Sequence, residues 1–300
     1  MLDVCLLGTG GTMPLPGRWL TSLVLRCNGR SLLIDSGEGT QIAAREAGCS
    51  FKNLDTICIT HLHADHTAGL PGLLLTMGNM DRTEPVTLVG PRGTKRLLEA
   101  VKVLAPELPF PVWAMEIDED NCQTISLGDW EIAPFPVNHT VPCFGYLVTV
   151  PRKGKFDPSK AIEAGIPRPL WKRLQNGESV DDYTPDMVMG PPRTGIKLVY
   201  CTDTRPARPL YKACDGVDLL ICEGMYGEPD KVEKAKENKH MTMYEAAKIA
   251  RDAGVPELWL THYSPSLTHP EYFMSEVKKI FENTVATKDG RTVELKFEED

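Results

Sequence analysis

The chain has 300 residues, 42% of them hydrophobic, with a mean hydropathy of -0.22 and a net charge of -8. This composition supports a sizeable core, and no apolar run approaches the length of a bilayer-crossing helix, so we expect no membrane partner. The acidic balance weighs against a wholly basic nucleic-acid-binding domain but leaves room for a local basic patch.

Cysteine usage and the first residues predict where the protein works. The nine cysteines include no Cys-x-x-Cys pair, which is typical of reduced thiols and a cytoplasmic protein. Residues 1–8 show neither a basic start nor a small-residue cleavage motif, so we expect no signal peptide. Cys58, Cys201 and Cys222 lie in apolar runs and are predicted to fill the core.

Short apolar strands separated by glycine turns dominate the first half of the chain. We predict strands at 2–7, 22–27, 31–34, 56–60 and 85–89, a helix at 94–104, and strands at 130–137 and 144–150. The second half adds strands at 197–202, 217–222 and 257–261 and helices at 242–253 and 270–281. This pattern predicts an α/β fold in which two sheets pack face to face with helices outside, a four-layer αββα sandwich.

We assign residues 1–300 to a single domain. One segment of it differs in composition from the rest. Residues 151–195 are rich in proline and glycine, are predicted to be helical only around 158–164, and form an inserted arm. Between 151 and 175, seven basic residues oppose two acidic ones, a local excess of five positive charges. A solvated loop face is one interpretation and a phosphate-binding surface is the other.

Residues 61–66 read His-Leu-His-Ala-Asp-His and follow a predicted buried strand. Imidazole nitrogens and carboxylate oxygens suit Zn²⁺, and an open coordination position turns water into hydroxide near neutral pH. A polar loop that merely caps the next helix is the alternative, but this spacing of three histidines and one aspartate argues against it.

Ligand-type residues also follow later strands, and together they suffice for two metal ions. The candidates form two sets, His61, His63 and His139 for one ion and Asp65, His66 and His262 for the other, with Asp203 as a bridge. Two neighbouring ions stabilise both the attacking and the leaving oxygen of a phosphoryl displacement. Asp35 is predicted either to fix the tautomer of a ligand histidine or to be a simple turn aspartate.

These motifs carry a resemblance to a known family. The His61-x-His63-x-Asp65-His66 motif with its later ligands resembles the metallo-β-lactamase fold, and within it the ribonuclease Z family of tRNA 3′-processing endonucleases. Residues 7–11, 33–41, 202–206 and 260–265 are similar to motifs of that family. His240, which precedes a predicted helix, is similar to a further histidine motif of the family. Residues 156–180 resemble the family's substrate-binding arm.

The resemblance implies a metal-dependent hydrolase of phosphodiester bonds. It would be an endoribonuclease that removes 3′ trailers from precursor tRNA, with two Zn²⁺ per chain and a bridging hydroxide as nucleophile. Asp65 would ligate one metal and orient or deprotonate the water, and His240 would donate to the phosphate or to the leaving oxygen. The substrate-contact candidates are Arg18, Lys155, Arg168, Lys172 and Arg173. The family also implies a homodimer in which one subunit's arm serves the other's site.

Two other functions remain open at this point. A small-molecule phosphodiesterase or arylsulfatase-type hydrolase on the same fold would need the metals but not the basic arm. A non-catalytic RNA-binding or structural protein that kept the fold is the other possibility, and the complete set of ligand candidates argues against it.

Overall fold

The computed structural model describes residues 1–298, which form two seven-stranded sheets packed face to face. The first sheet contains β1 (Leu2–Gly8), β2 (Ser22–Cys27), β3 (Arg30–Ile34), β4 (Leu54–Cys58), β5 (Val86–Gly90), β6 (Val112–Glu116) and β14 (Arg291–Leu295). The second contains β7 (Ile125–Leu127), β8 (Trp130–Pro136), β9 (Phe144–Arg152), β10 (Arg193–Cys201), β11 (Leu219–Glu223), β12 (Leu258–Thr261) and β13 (Thr284–Ala286). Their strand orders are β14-β1-β2-β3-β4-β5-β6 and β13-β12-β11-β10-β9-β8-β7.

Each sheet is part antiparallel and part parallel. Strands β3 to β6 run parallel in the first sheet, and β10 to β13 run parallel in the second. The carboxyl ends of parallel strands meet at one edge of a sheet, where α/β proteins place their ligands. Both sheets therefore offer loops for a shared site at that edge.

Helices cover the outer face of each sheet and complete the four layers. On the first sheet they are α1 (Thr40–Glu46), α3 (Leu70–Gly78) and α4 (Thr94–Leu104), and on the second α7 (Arg208–Ala213), α9 (Met243–Ala253) and α10 (Met274–Ile280). Of the other helices, α2 (Ala64–Thr67) follows β4, α5 (Pro158–Glu163) and α6 (Arg168–Gln175) lie between β9 and β10, and α8 (Val232–Glu237) follows β11. In β1, Val4 and Leu6 pack between the sheets while Cys5 and Leu7 pack against helices, because successive strand side chains point to opposite faces. The predicted α/β sandwich is confirmed, and Cys58, Cys201 and Cys222 are fully buried as predicted.

The strands that the sequence did not reveal are all at sheet edges. β6, β7, β13 and β14 end the two sheets and have few buried side chains, so their apolar pattern is weak. The predicted strand at 56–60 lies two residues earlier, at Leu54–Cys58. The predicted helix at 270–281 begins as a 3₁₀ turn, Pro270–Phe273, and becomes α-helical only in α10.

Residues between β9 and β10 form a small structured arm. Asp157 caps α5, since its Oδ1 accepts from the N–H of Ser159 over 2.9 Å. A second helix, α6, was not predicted. The two helices enclose an apolar cluster of their own, made of Ala161, Ile166, Leu174 and Val188. No helix within residues 1–298 has both the length and the apolar character required to cross a bilayer.

Candidate metal centre and active site

Loops from both sheets converge on one cluster of histidines and carboxylates. His61 follows β4, His139 follows β8, Asp203 follows β10 and His262 follows β12. His63 is the N-cap residue of α2, with its side chain free of capping contacts, and Asp65 and His66 belong to the helix. Six of the seven histidines of the chain meet here, because each lies in or near a loop at the same edge of the sandwich.

Four donor atoms face one another in the first group. His61 Nε2 lies 3.0 Å from His63 Nδ1, and His139 Nε2 lies 3.4 Å from that same nitrogen. Asp203 Oδ2 closes the group at 3.7 Å from both His61 Nε2 and His139 Nε2. These are the residues predicted for one metal ion, together with the predicted bridge.

The second group lies on the other side of Asp203. His66 Nε2 is 3.2 Å from His262 Nε2 and 3.6 Å from Asp65 Oδ2, and His262 Nε2 is 3.5 Å from Asp65 Oδ2. Asp203 Oδ1 lies 3.2 Å from His66 Nε2 and 3.1 Å from His262 Nε2. Asp203 therefore presents one oxygen to each group, as a bridging carboxylate would.

The spacing of these donors fits metal ions. Ligands about 2.0–2.1 Å from a tetrahedral zinc lie about 3.3–3.4 Å from one another, and the donor pairs here are 3.0–3.7 Å apart. Asp203 Oδ1 is buried and accepts no hydrogen bond within residues 1–298, although two imidazoles stand beside it. A buried carboxylate oxygen without a hydrogen bond is costly unless a cation compensates it. The residues present therefore fit a dinuclear metal site.

Hydrogen bonds behind the imidazoles decide which nitrogen faces the centre. Asp35 Oδ2 lies 2.8 Å from His66 Nδ1, so Nδ1 carries a proton and Nε2 is left as the ligand atom. His139 Nδ1 lies 3.3 Å from the carbonyl oxygen of Lys239, which selects the same tautomer. Asp35 also accepts from the N–H of Thr60 over 2.8 Å, which ties β3 to the loop after β4. The contact between Asp35 and a ligand histidine is the predicted one.

The glycine turn after β1 supports the second group, a role that nothing in its sequence reveals. The N–H of Thr12 donates to Asp65 Oδ2 over 2.7 Å. The N–H of Gly11 donates to the carbonyl oxygen of Tyr263, next to His262. An ideal Cβ on Gly11 would lie 2.7 Å from Cε1 of the His262 ring, so only glycine fits without a shift.

Backbone strain is concentrated around the centre. Thr12, Asp35, Asp203 and His262 have φ angles of 70°, 63°, 49° and 56°, in the left-handed region that residues other than glycine rarely adopt. The last three lie one or two residues after strands, where the sharp turn aims each side chain towards the centre. Strain of this kind persists at functional sites when the surrounding structure holds it in place.

His240 lies beside the two donor groups and is held by a buried carboxylate. Its Nδ1 donates to Glu223 Oε2 over 3.1 Å, and Glu223 also accepts from the N–H groups of Thr204 and Met241. Burial disfavours the imidazolium, but the Glu223 carboxylate, with Asp203, outweighs burial and raises the pKa of His240 to about 9. Glu223 is fully buried at the end of β11, and its contact with His240 was not predicted.

Asp65 is held in its ionised form. Burial favours the neutral acid, but hydrogen bonds and charge from His262 and His66 outweigh it and keep the pKa of Asp65 well below its usual range. An ionised carboxylate is a good metal ligand and hydrogen-bond acceptor but a weak base. Both roles that the sequence predicts for Asp65, orienting and deprotonating the water, require this ionised carboxylate, and both stay predictions.

The guanidinium of Arg18 is already engaged by the loop after β12. Nη1 donates to the carbonyl oxygen of Leu267 over 2.6 Å, and Nη2 donates to that of Thr268 over 2.8 Å. The guanidinium also lies over the ring of Tyr263. These contacts join the loop after β1 to the loop after β12.

The other predicted substrate contacts are exposed on the arm, at Lys155, Arg168, Lys172 and Arg173. Arg173 forms an ion pair with Glu178 at 2.7 Å, so part of the local positive charge is compensated within the arm. The guanidinium of Arg168 lies over the ring of Trp171. Ion pairs and stacking at an exposed surface leave most of the charge available to a polyanion.

A cavity of about 630 Å³ opens over the centre. Its lining includes His63, Asp65, His139, Asp203, His240 and His262. One wall continues to Tyr226 and α8, and the other to Ser264 and Pro265. A substrate phosphate that enters it meets the metal-ligand groups and His240 together.

Comparisons with known proteins agree with this geometry. Two family models match parts of the chain, the anti-Pycsar protein Apyc1 over residues 2–102 and the beta-lactamase superfamily domain over residues 186–263. A ribonuclease Z of Lachnoclostridium phytofermentans is 57% identical over 99% of both chains. Ribonuclease Z of Lachnospira eligens is 56% identical over 100% of both chains.

Solved structures show the same architecture. The short form of human tRNase Z has a TM-score of 0.70 at 25% identity, covering 98% of this chain and 100% of that chain. A diphosphatase of the PhnP family has a TM-score of 0.65 at 18% identity, over 99% of this chain and 98% of that one. The second similarity is one of fold alone.

Proposed function

This chain belongs to the ribonuclease Z family, and we propose that it is a zinc-dependent endoribonuclease that removes the 3′ trailer from precursor tRNA. Family membership rests on 54–57% identity to relatives matched over almost their whole length. The protein is accordingly a metal-dependent hydrolase of phosphodiester bonds. The observation that carries the proposal is the pair of donor groups joined by Asp203.

Two Zn²⁺ per chain are proposed for these groups. His61, His63 and His139 would hold one ion, Asp65, His66 and His262 the other, and Asp203 would be shared. The donor spacing and the unpaired Oδ1 of Asp203 support this assignment. When bound, the two ions supply an activated water and withdraw negative charge from the phosphate.

His240 and Asp65 are the proposed catalytic residues. Glu223 holds Nδ1 of His240, so the ring is fixed and its other nitrogen is left to donate to the phosphate or the leaving 3′ oxygen. Asp65 would bind one ion and accept a hydrogen bond from the attacking water. The N–H of Thr12 holds that carboxylate in place.

Substrate selection is proposed to come from residues 151–195, an arm inserted into a single domain that spans 1–300. The arm has its own apolar cluster and carries the four exposed basic residues named above. Phosphate contacts of this kind position an RNA without reading its bases. Arg18 stays a proposed contact as well, because a guanidinium has five N–H donors and only two carbonyl oxygens are bound here.

We also propose a cytoplasmic homodimer. All nine cysteines are free, which suits a reducing compartment. On the neighbouring helices α1 and α3, Ile42 and Leu75 are 47% and 43% exposed, which suits a surface covered by a second copy. Sedimentation should give a dimer, and the Ile42→Asp/Leu75→Asp variant should give monomers. A monomeric wild type would contradict the homodimer.

Cleavage of a precursor tRNA with a 3′ trailer tests the function itself. The zinc-loaded protein should release the trailer in one piece, a chelator should stop the reaction, and added Zn²⁺ should restore it. His63→Ala should lose cleavage, whereas His269→Ala, at an exposed histidine outside the cavity, should not. Hydrolysis of small phosphodiesters without any cleavage of precursor tRNA would favour the small-molecule alternative.

A further inference from the structure

The cavity over the metal-ligand groups extends well beyond the space of one phosphate. On one side it reaches Met225 and Tyr226, after β11, and then Lys234, Glu237 and Asn238 in or just after α8. Its volume of about 630 Å³ lies within the range of sites that enclose a whole small ligand. The cavity therefore has room for groups that flank the cleaved phosphate.

Lys234 is an uncompensated positive charge on that side. Among residues 1–298, no carboxylate lies within ion-pairing distance of its ammonium, whereas Lys236 of the same helix pairs with Glu233 at 2.6 Å. The Lys234 ammonium lies over the ring of Tyr226, 5.5 Å from its centroid. A cation–π contact places a cation without neutralising it.

Tyr226 is a rigid support for this ammonium. The residue is only 4% exposed, and its carbonyl oxygen accepts from the N–H of Met243, which anchors it to α9. Asn238 Nδ2 lies 3.4 Å from the Tyr226 hydroxyl oxygen and 3.1 Å from the carbonyl oxygen of Lys234, donating to both. These contacts join the ring to α8 and fix the backbone of Lys234 relative to the Tyr226 ring.

We propose that Lys234, placed over Tyr226, binds the phosphodiester next to the one that is cleaved. This inference rests on the proposed function and makes the ligand class of the site a polynucleotide rather than an isolated phosphodiester. In a polynucleotide chain each phosphate has a neighbour, so one phosphate over the metal-ligand groups places the next along the cavity wall. An ammonium recognises phosphate as a point charge and does not read bases, which suits trailers of varied sequence.

Two short substrates isolate this contact. A dinucleoside monophosphate has one phosphodiester, and a trinucleoside diphosphate of the same base has two. The measurement is the ratio of kcat/KM per cleaved bond for the longer over the shorter substrate. We expect the wild type to prefer the longer one about tenfold, the scale of one hydrogen bond to a charged group. Lys234→Gln should bring the ratio close to one, mainly through KM, and Lys234→Arg should restore most of it. Lys236→Gln is the matched control and should keep the wild-type ratio.

The outcomes separate this subsite from the proposed function. A wild-type ratio close to one, or a Lys234→Gln ratio equal to that of the wild type, overturns the subsite. Equal losses in Lys234→Gln and Lys236→Gln also overturn it, because only general charge would then matter. If the wild type does not cut precursor tRNA but keeps a Lys234-dependent ratio, the proposed function is contradicted and the subsite is supported.

Discussion

Residues of the candidate metal centre differ in whether their substitution would remove bound metal or only catalytic activity. Asp203 contributes an oxygen to both donor groups, whereas each ligand histidine contributes to one. His240 forms a third possible donor group with Asp203 and His262, but Glu223 engages its Nδ1, so we expect its loss to leave metal binding intact. Metal content and turnover, measured together, therefore distinguish these roles.

Asp203→Ala should lose most of the bound metal. The substitution removes the shared ligand and leaves His66 and His262 facing each other across 3.2 Å without the carboxylate. Elemental analysis of the purified variant measures the loss, and circular dichroism checks that it is folded. Asp215→Ala, at an exposed aspartate, should keep the wild-type metal content. Unchanged metal in Asp203→Ala would remove this residue from the site.

His240→Ala should keep both metals and lose about 10²–10⁴-fold in kcat, the usual scale for a general acid or base. Glu223→Gln keeps the size of the side chain but replaces one accepting oxygen with an NH2 group, which cannot accept from the N–H that faces it. The hold on the His240 ring should loosen, and we expect a smaller loss than in His240→Ala. Single-turnover rates with matched metal content measure both. Near-normal turnover in His240→Ala would show that this histidine takes no part in catalysis.

Proximity along the chain explains which site residues could be predicted. The motif at 61–66 is contiguous, so its ligand candidates were identifiable from spacing alone. The contacts of Thr12 with Asp65 and of Glu223 with His240 join residues 53 and 17 positions apart. Neither contact follows a helical or strand period or joins neighbouring residues, so only the folded structure reveals the two contacts. The tautomer contact of Asp35 was predictable only as one of two options.

At the level of elements, each loop at the site depends on the strand before it. The parallel strands β11 and β12 were predictable because both of their faces are buried and their sequences are apolar runs, and the same holds for the second halves of β3, β4 and β10. Edge strands such as β6 and β14 have one poorly covered face and lack that signal. β14 nevertheless pairs with β1 and so supports the strand that leads into the glycine turn.

Gly11→Ala should weaken metal binding in the second group. The added Cβ would meet the His262 ring at 2.7 Å, and the ring or the turn must shift. We expect a loss of about 10- to 100-fold in metal affinity, the scale seen when residues that orient metal ligands are changed. Competition with a chromophoric chelator measures it. Gly190→Ala, where the nearest atom to a Cβ is 3.3 Å away, is the control, and equal losses in both variants would contradict the steric explanation.

At the scale of the whole molecule, charge is distributed unevenly. The chain has a net charge of -8, yet residues 151–175 carry an excess of five positive charges. The arm is also structurally separable. The carbonyl oxygen of Lys155 accepts from the N–H of Gly190 over 2.7 Å, so the two ends of the segment 156–189 lie side by side. Its apolar cluster is internal, and its removal leaves the sandwich core in place.

Replacing residues 156–189 with two glycines should therefore raise the KM for precursor tRNA strongly while bis(p-nitrophenyl) phosphate is still hydrolysed. The metal-ligand groups and His240 lie outside the deletion, so only binding of the RNA body is removed. The slope of log affinity against log salt concentration is negative, and each lost phosphate contact reduces its magnitude by about 0.7–0.9. The variant should therefore bind precursor tRNA with a flatter salt dependence. Arg168→Glu/Lys172→Glu in the intact arm should reproduce the KM effect without the deletion. An unchanged KM in both variants would show that the arm does not hold tRNA.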